Sequence, residues 1–456
     1  MTARSRARIE AHRLFSAPER GFVEDRARAR AGALPPSERP LFRELCAGVL
    51  RRRVILDLLL DHYLSSGRRY TDERLAAALR IGLYELLFLD GSEPRAVVHE
   101  CVELVPTRLG RRARGLVNGV LRRVDREARR EAPGGAPSAD LLELEDRAWR
   151  FPEPILPDPD EDALGHAAAV RGFTREAAAR LESELGPEGA RALMRNANRR
   201  PVPTLRPDPR RLTAEEAVAR LREEQPGAEV TARPDHPAGL LAARGLVDLA
   251  QSELFRAGLL VPQGDFAARV APFVAPRDGE RILDLCAAPG GKTAHLASLA
   301  PAARIVAGVL DRAAANEVRE TCRRAAVTAP EILHVAADGD RPIAGPWDAI
   351  LVDAPCSNSG VLARRPEARH RLTPDVLSEL AALQTRLLRV ALATAAAASD
   401  DCRVIYATCS VLGSENRAIV DRGLAETPGF AVEAEIALTP DAPEEDGGYA
   451  ARLRRV

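Results

Sequence analysis

Apolar side chains in the first 130 residues recur at the three- and four-residue intervals of an amphipathic helix. These stretches cover residues 41–50, 54–60, 75–88, 95–104 and 116–124. Thr71 is a candidate N-cap for the third of them, since acidic residues follow it in the first turn. The pattern predicts an all-α bundle over residues 1–130.

The pattern changes twice before residue 276. Residues 131–168 are rich in Pro, Gly, Asp and Glu, which predicts an extended linker. Helical stretches resume at 177–185 and 214–224, with a strand candidate at 199–206 between them. We therefore expect a small α+β subdomain over residues 169–275.

Residues 276–456 alternate short apolar strands with helical segments. Strand candidates are 281–285, 304–310, 332–335, 349–353 and 403–407. This alternation predicts a parallel, doubly wound α/β sheet of Rossmann-like form. Ligands of such sheets bind beyond the carboxyl ends of the strands.

The formal net charge of the 456 residues is zero, but the charges are unevenly distributed. Residues 1–130 carry 27 Arg against 17 acidic residues, whereas residues 131–180 carry 5 Arg against 11. The basic front segment suits contact with RNA phosphates, although a solvated helical surface would show the same excess. Of the 66 basic residues only Lys292 is a lysine, so its position is informative.

Composition also bears on location and metal binding. No apolar run is long enough for a membrane span and no apolar signal core follows the basic N-terminus, so we expect a cytoplasmic protein with no membrane partner. The seven cysteines include no Cys-x-x-Cys pair. We therefore expect free thiols and no metal site.

A glycine-rich loop with the sequence DLCAAPGGKT covers residues 284–293, between the first strand and a helix. Gly290 and Gly291 allow a tight turn and the close approach of a ligand, and the helix start offers free N–H groups. A P-loop would need glycine where Cys286 stands, and no G-x-G-x-x-G fingerprint occurs. The loop suits a nucleotide-like cofactor, with a plain strand-to-helix turn as the structural alternative.

Two cysteines follow later strands of the same region. Cys356 lies in Asp-Ala-Pro-Cys-Ser and Cys409 in Ala-Thr-Cys-Ser. A thiolate can add covalently to an electron-poor ring, and such a thiol must be partly ionised. Either cysteine alone would more often be an inert core thiol, but the pair of motifs favours covalent catalysis.

The loop and both cysteine motifs, in this order, resemble the NOL1/NOP2/Sun family of RNA cytosine-5 methyltransferases. The helical segment resembles the NusB-like RNA-binding domain at residues 47–53, 83–89 and 116–123. The resemblance implies a monomeric enzyme that uses S-adenosyl-L-methionine (SAM) to methylate RNA through a covalent Cys–cytosine C6 adduct. It also implies 16S ribosomal RNA as the substrate.

The resemblance further implies roles for individual residues. Cys409 would be the nucleophile, and Cys356 would assist removal of the carbon-5 proton and release of the product. Asp353 would bind the cytosine edge, and Lys292 would support the base or the developing charge. The cofactor would contact Cys286, Ala287, Ala288, Pro289, Gly290, Gly291, Lys292, Asp311, Asp338 and Asp353, with Asp338 on its adenine side.

One departure from the family concerns the ribose of the cofactor. The family usually has an acid at the end of the second strand, where Val309 stands here. Either Asp311, two residues on, takes its place, or the ribose loses its main anchor. A non-catalytic RNA-binding assembly factor is therefore an alternative, and transfer RNA is an alternative substrate. His370 lies in a second departing segment and is a candidate neighbour of the target base.

Overall fold

A computed structural model describes residues 5–17, 22–64, 72–247, 249–335 and 341–456. Thr71 and Asp338, both named above, lie outside the described residues. The chain divides into two compact units. The first comprises Met1–Asn198 with Arg365–Arg371, and the second Arg199–Arg364 with Leu372–Val456.

The described part of the first unit contains eight α-helices and one small sheet. The helices are α1 (Arg6–Phe15), α2 (Val23–Ala31), α3 (Arg39–Tyr63), α4 (Glu73–Phe88), α5 (Pro94–Leu104), α6 (Gly110–Glu127), α7 (Ala163–Val170) and α8 (Arg175–Asn196). The first six bury their apolar faces in one core that includes Leu45, Leu83 and Leu121, which confirms the predicted helical bundle. Asp72, one residue after the predicted cap, caps α4 by accepting a hydrogen bond from the Arg74 amide at 2.9 Å.

The segment predicted as an extended linker is partly folded, which corrects that expectation. It carries three short antiparallel strands in the order β1-β3-β2: β1 (Arg129–Glu131), β2 (Leu141–Glu143) and β3 (Ala148–Arg150). Leu142 and Phe151 are buried in the same core as the helices. The acidic residues of this segment suggested a solvated linker, but Asp140 forms an ion pair with Arg150 at 2.8 Å. Local composition therefore concealed a small sheet.

The second unit begins with a four-stranded antiparallel sheet in the order β5-β6-β4-β7. Its strands are β4 (Thr204–Pro207), β5 (Glu229–Ala232), β6 (Leu241–Arg244) and β7 (Leu260–Pro262), and its helices are α9 (Ala214–Glu224) and α10 (Glu253–Arg256). The division into compact units falls between Asn198 and Arg199. Helix α8, which lies within the predicted subdomain 169–275, therefore belongs to the first unit.

A seven-stranded sheet forms the rest of the second unit, in the order β10-β9-β8-β11-β12-β14-β13. Its strands are β8 (Arg281–Asp284), β9 (Arg304–Val309), β10 (Glu331–His334), β11 (Ala349–Asp353), β12 (Arg403–Thr408), β13 (Phe430–Leu438) and β14 (Gly448–Arg455). The five predicted strands pair in parallel. The last two form an antiparallel hairpin that pairs with β12, so the sheet is mixed rather than wholly parallel.

Helices α11 (Asp265–Val274), α12 (Gly291–Leu299), α13 (Arg312–Arg324), α14 (Pro374–Ala398) and α15 (Arg417–Glu426) accompany this sheet. Among the described helices, α14 alone is long and apolar enough to cross a membrane by length and composition. Its Leu388, Leu392 and Ala395 are buried in one core with Val404 and Tyr406 of β12. Helix α14 thus packs as a core helix of the α/β domain.

Candidate active site

Three neighbouring strands of the mixed sheet bring the sequence motifs to one edge. Strand β11 lies between β8 and β12, with Leu351 paired to Asp284 and Asp353 paired to Ala407. These strands are parallel, so their carboxyl ends meet at the same edge. The glycine-rich loop and both cysteine motifs therefore share one site, as the sequence predicted.

The glycine-rich loop turns sharply between β8 and α12. The Ala287 amide donates to the Gly308 carbonyl at 3.0 Å, and the Gly290 amide donates to the Ala287 carbonyl at 2.6 Å. Gly290 has φ +100°, and a Cβ there would lie 2.9 Å from Cα of Val318. Glycine is required at this position on both conformational and steric grounds.

Asp284, the first residue of the loop, is a buried carboxylate with incomplete hydrogen bonding. Its Oδ2 accepts from the Thr293 hydroxyl at 2.7 Å, while Oδ1 has no hydrogen-bond partner among the described residues. Burial raises the pKa of Asp284 to about 7, although the Thr293 hydrogen bond acts in the opposite direction. The loop therefore holds an unsatisfied acceptor that a donor could occupy.

The two motif cysteines lie side by side. Their sulfur atoms are 3.1 Å apart, and both thiols are free. Cys356 is buried, whereas Cys409 is half-buried. The hydrogen bond to Cys409, followed by burial, holds the pKa of Cys356 well above its usual value. At neutral pH Cys356 is therefore a protonated thiol that can donate to the Cys409 sulfur.

Asn358 contacts both cysteines, and no sequence pattern had marked it as a candidate site residue. The Cys409 thiol donates to Oδ1 of Asn358 at 3.1 Å, and Nδ2 of Asn358 donates to the Cys356 carbonyl at 3.1 Å. Asn358 has φ +61°, in the left-handed region that Asn tolerates better than most residues. A short loop conformation thus fixes the surroundings of both sulfurs.

Glu415 holds the two cysteine loops together and was also missed by the sequence analysis. Its buried carboxylate accepts from the amide and hydroxyl of Ser357 at 2.8 and 2.5 Å, and from the Ser410 hydroxyl at 2.5 Å. Nε2 of Gln384 donates to it at 3.0 Å. Ser357 and Ser410 directly follow Cys356 and Cys409, so one carboxylate fixes both loops. An acid just after Thr-Cys-Ser was the available signal.

Lys292 and Asp353 form an ion pair at the same edge of the sheet, with Nζ and Oδ2 2.6 Å apart. Burial acts to lower the pKa of Lys292, but the negative charge of Asp353 offsets this effect and the net pKa is raised. The lysine is therefore a stable cation. The single lysine of the chain thus links the glycine-rich loop to the end of β11, the strand that leads to Cys356.

The end of β9 is the place where the family usually has the acid that binds the ribose of the cofactor. Val309 is buried at 3% exposure, and Leu310 is exposed at 68%. Asp311 is exposed and caps α13, since its Oδ1 accepts from the Ala314 amide at 2.8 Å. Its other oxygen accepts no hydrogen bond from the described residues. Asp311 is thus partly engaged in capping but retains one oxygen for a ligand.

His370 does not belong to this group. It lies in the first unit, where its Nε2 is 2.8 Å from the Leu50 carbonyl oxygen. Desolvation lowers its pKa to about 4, so it is a neutral, half-buried histidine at physiological pH. Among the described residues, no cluster of three or more His, Cys, Asp or Glu side chains could hold a metal ion.

The mixed seven-stranded sheet, the Gly-Gly turn after its first strand and the ligand edge beyond its parallel strands define the class of Rossmann-like methyltransferases. Residues 271–454 match the family described as 16S rRNA methyltransferase RsmB/F, and residues 5–126 match the NusB family. The second unit of the chain is thus similar to the RsmB/F family of RNA methyltransferases, and its N-terminal helices are similar to the NusB family.

Relatives of similar length share this organisation. The ribosomal RNA small subunit methyltransferase B of Klebsiella pneumoniae subsp. pneumoniae is 29% identical over 454 residues, which cover 94% of this chain and 95% of the relative. The probable ribosomal RNA small subunit methyltransferase B of Bacillus subtilis is 27% identical and covers 91% of this chain and 86% of its own.

Solved structures show the same fold. The crystal structure of PH0851 covers 99% of this chain and 98% of its own, with a TM-score of 0.78 and 22% identity. The structure of NSun6 from Pyrococcus horikoshii with SFG covers 63% of this chain and 99% of its own, with a TM-score of 0.54 and 19% identity.

Proposed function

We propose that this protein methylates carbon 5 of a cytosine in 16S ribosomal RNA through a covalent adduct between Cys409 and carbon 6 of the base. The observation that carries the proposal is the 3.1 Å separation of the Cys356 and Cys409 sulfurs at the ligand edge of the sheet. The full-length relatives, which are named as small-subunit ribosomal RNA methyltransferases, support the choice of small-subunit ribosomal RNA over transfer RNA.

The residues of the glycine-rich loop fit SAM as the methyl donor. Apart from its chain neighbours and the backbone of its own helix, no heavy atom of the described residues lies within 4 Å of the position that a Cβ on Gly291 would take, so space is open there. Helix α12 begins at Gly291, and its first N–H groups have no carbonyl partner within the helix. The unpaired Oδ1 of Asp284 and the second oxygen of Asp311 provide acceptors for ligand donors.

In this proposal residues 286–292 and Asp311 hold the cofactor, with Asp338 and Asp353 as further contacts. When bound, SAM supplies a methylsulfonium, which is an electrophilic methyl group. The protein has to generate a nucleophilic carbon 5 beside it. The pairing of Lys292 with Asp353 keeps a cation and a carboxylate ready at that place.

The two cysteines divide the chemistry. Cys409 is the more accessible thiol, and its thiolate adds to carbon 6 of the cytosine. Asp353 holds the cytosine edge during this addition. After methylation, loss of the carbon-5 proton and cleavage of the carbon–sulfur bond restore the aromatic ring. Cys356, which is protonated and adjacent to the departing sulfur, gives its proton to that sulfur as the carbon–sulfur bond breaks, and its own thiolate takes up the carbon-5 proton.

Replacement of each cysteine by alanine tests the assignment. With labelled SAM and 16S ribosomal RNA, Cys409→Ala should transfer no methyl group. Cys356→Ala should accumulate an RNA–protein adduct that survives denaturing electrophoresis, and the double variant should not. Cys402→Ala is the matched control, because this buried thiol lies before β12. Full activity of Cys409→Ala would contradict the proposal, as would an adduct in the double variant.

A second candidate function rests on the buried, apolar Val309 at the usual position of the ribose acid. A protein that had lost tight cofactor binding would act as a non-catalytic RNA-binding assembly factor. Calorimetric titration with SAM separates the two functions. A measurable binding heat favours the enzyme, and its absence at millimolar ligand favours the assembly factor.

A further inference from the structure

A cavity of about 520 Å³ lies in the first unit, among α3, the small sheet, α7 and α8. Arg52, Arg171, Arg191 and Arg195 line it together with His166 and Asn198. The cavity lies beside the NusB-family segment, which ends at residue 126, and only Arg52 comes from that segment. Four guanidinium groups around one cavity require an explanation, because like charges repel.

Neighbouring acids do not neutralise this arginine cluster. Nη1 of Arg171 donates to the Ala167 carbonyl at 3.1 Å, and Nη1 of Arg52 donates to the Val170 carbonyl at 3.3 Å. Arg191 and Arg195 are exposed on α8 and form no ion pair with the residues that the structure describes. Two acids, Glu143 and Glu145, also line the cavity. Four cations against two anions leave an excess of two positive charges.

A fifth guanidinium increases this excess. Arg369 belongs to the same unit and is fully buried. Its Nη1 donates to the Arg171 carbonyl and to Oδ1 of Asn198, each at 3.0 Å. Burial lowers the pKa of Arg171, and the charges of Arg195 and Arg191 lower it further. The folded protein therefore maintains a repulsive arrangement that a bound anion would relieve.

We infer that the cavity lined by Arg52, Arg171, Arg191 and Arg195 binds phosphodiester groups of an RNA strand. Guanidinium groups present a planar fork of donors that matches two phosphate oxygens. The cavity is open enough for a backbone phosphate. The choice of RNA as the polyanion rests on the proposed function, whereas the anion site itself rests on the cluster.

The test is an RNA-binding measurement in the absence of SAM. Arg191→Gln with Arg195→Gln removes two exposed cluster charges and should leave the fold intact. Arg319→Gln with Arg422→Gln is the matched control, because both residues are exposed on helices of the second unit, outside the basic front segment, and the change in net charge is identical. The probe is a fluorescein-labelled single-stranded RNA, followed by anisotropy at several salt concentrations.

The cluster variant should bind the probe more weakly by about tenfold or more. Its plot of log affinity against log salt should be shallower by about 1.4, for two lost contacts to single-stranded RNA. In methylation assays the KM for RNA should rise while kcat stays unchanged. An equal effect in both double variants, or none in the cluster variant, would overturn the inference. So would binding of inorganic phosphate that depends on the cluster while RNA affinity does not.

Because this binding assay contains no SAM, it can succeed even if methyl transfer is never observed. Conversely, methyl transfer with undiminished RNA affinity in the cluster variant would refute the phosphate site alone.

Discussion

Replacing Glu415 by alanine removes an acceptor that four hydrogen-bond donors share. The donors are the amide and hydroxyl of Ser357, the hydroxyl of Ser410 and the amide of Gln384. All three partner side chains are buried, so water cannot readily replace the carboxylate. At about 1 kcal/mol for each unsatisfied donor, the free energy of unfolding should fall by roughly 3–4 kcal/mol. For a unit of this size that corresponds to a Tm lower by about 10 °C.

Glu415→Gln should behave differently, because it keeps the shape and removes the charge. One oxygen remains for the Ser357 amide, and the two serine hydroxyls can rotate to accept from the new amide group. We expect a loss of about 1 kcal/mol or less in the free energy of unfolding. The charge of Glu415 raises the pKa of Cys356, after the larger effects of Cys409 and burial. The glutamine variant should therefore shift the pH profile of product release to lower pH.

Urea unfolding measures the stability change, and single-turnover methyl transfer with the rate of adduct decay measures the effect on the cysteines. Glu426→Ala is the control, since Glu426 is exposed at the end of α15 and should change stability by about 0.5 kcal/mol or less. Wild-type stability and wild-type methyl transfer in Glu415→Ala would refute the role of this carboxylate in holding the two loops. An unshifted pH profile in Glu415→Gln would refute only its electrostatic effect.

Three further predictions concern the cofactor side of the site. Asp311→Asn keeps an N-cap oxygen but removes the carboxylate, so the free energy of unfolding should change little. The affinity for SAM, measured by calorimetry, should fall about tenfold. An unchanged affinity would show that Asp311 does not bind the ribose. Asp284 has a pKa raised to about 7, so its contribution to stability is complete below about pH 4 and is lost as the pH rises through 7. In Asp284→Asn the free energy of unfolding measured with urea should therefore depend less on pH between about pH 4 and 7. The same pH dependence as in the wild type would contradict the argument from burial. Lys292→Met should lower kcat by on the order of a hundredfold, because the Asp353 carboxylate loses its counter-charge. Lys292→Arg keeps the positive charge and should be less affected. Equal values of kcat in both variants and the wild type would exclude this role.

Much of the α/β domain could be predicted because its signals are local. The strand predicted at 349–353 coincides with β11, and that predicted at 304–310 differs from β9 by one residue. Alternation of apolar strands and helices reflects burial on both faces of a parallel sheet, which leaves long apolar runs in the sequence. The edge hairpin β13–β14 was missed, because charged residues interrupt both strands and leave no continuous apolar run.

Other features depended on contacts between distant residues. The small sheet β1–β3 was concealed by proline and acidic residues whose charges pair with arginines. Asp311 was named as a substitute for the acid missing at Val309, but its role as the N-cap of α13 was not foreseen. His370 was considered as a neighbour of the target base, whereas it binds a backbone carbonyl in the first unit.

The amino-acid sequence by itself determined which chemical groups meet at the ligand edge. Parallel strands end on one side of a sheet, so residues placed just after β8, β11 and β12 must share that side wherever they stand in the chain. Only the tertiary structure decided how these groups engage one another. The 3.1 Å contact of two sulfurs, the carboxylate of Glu415 between two loops and the arginines around one cavity each join residues far apart in sequence. Such contacts depend on how the elements pack, and periodicity carries no information about packing partners.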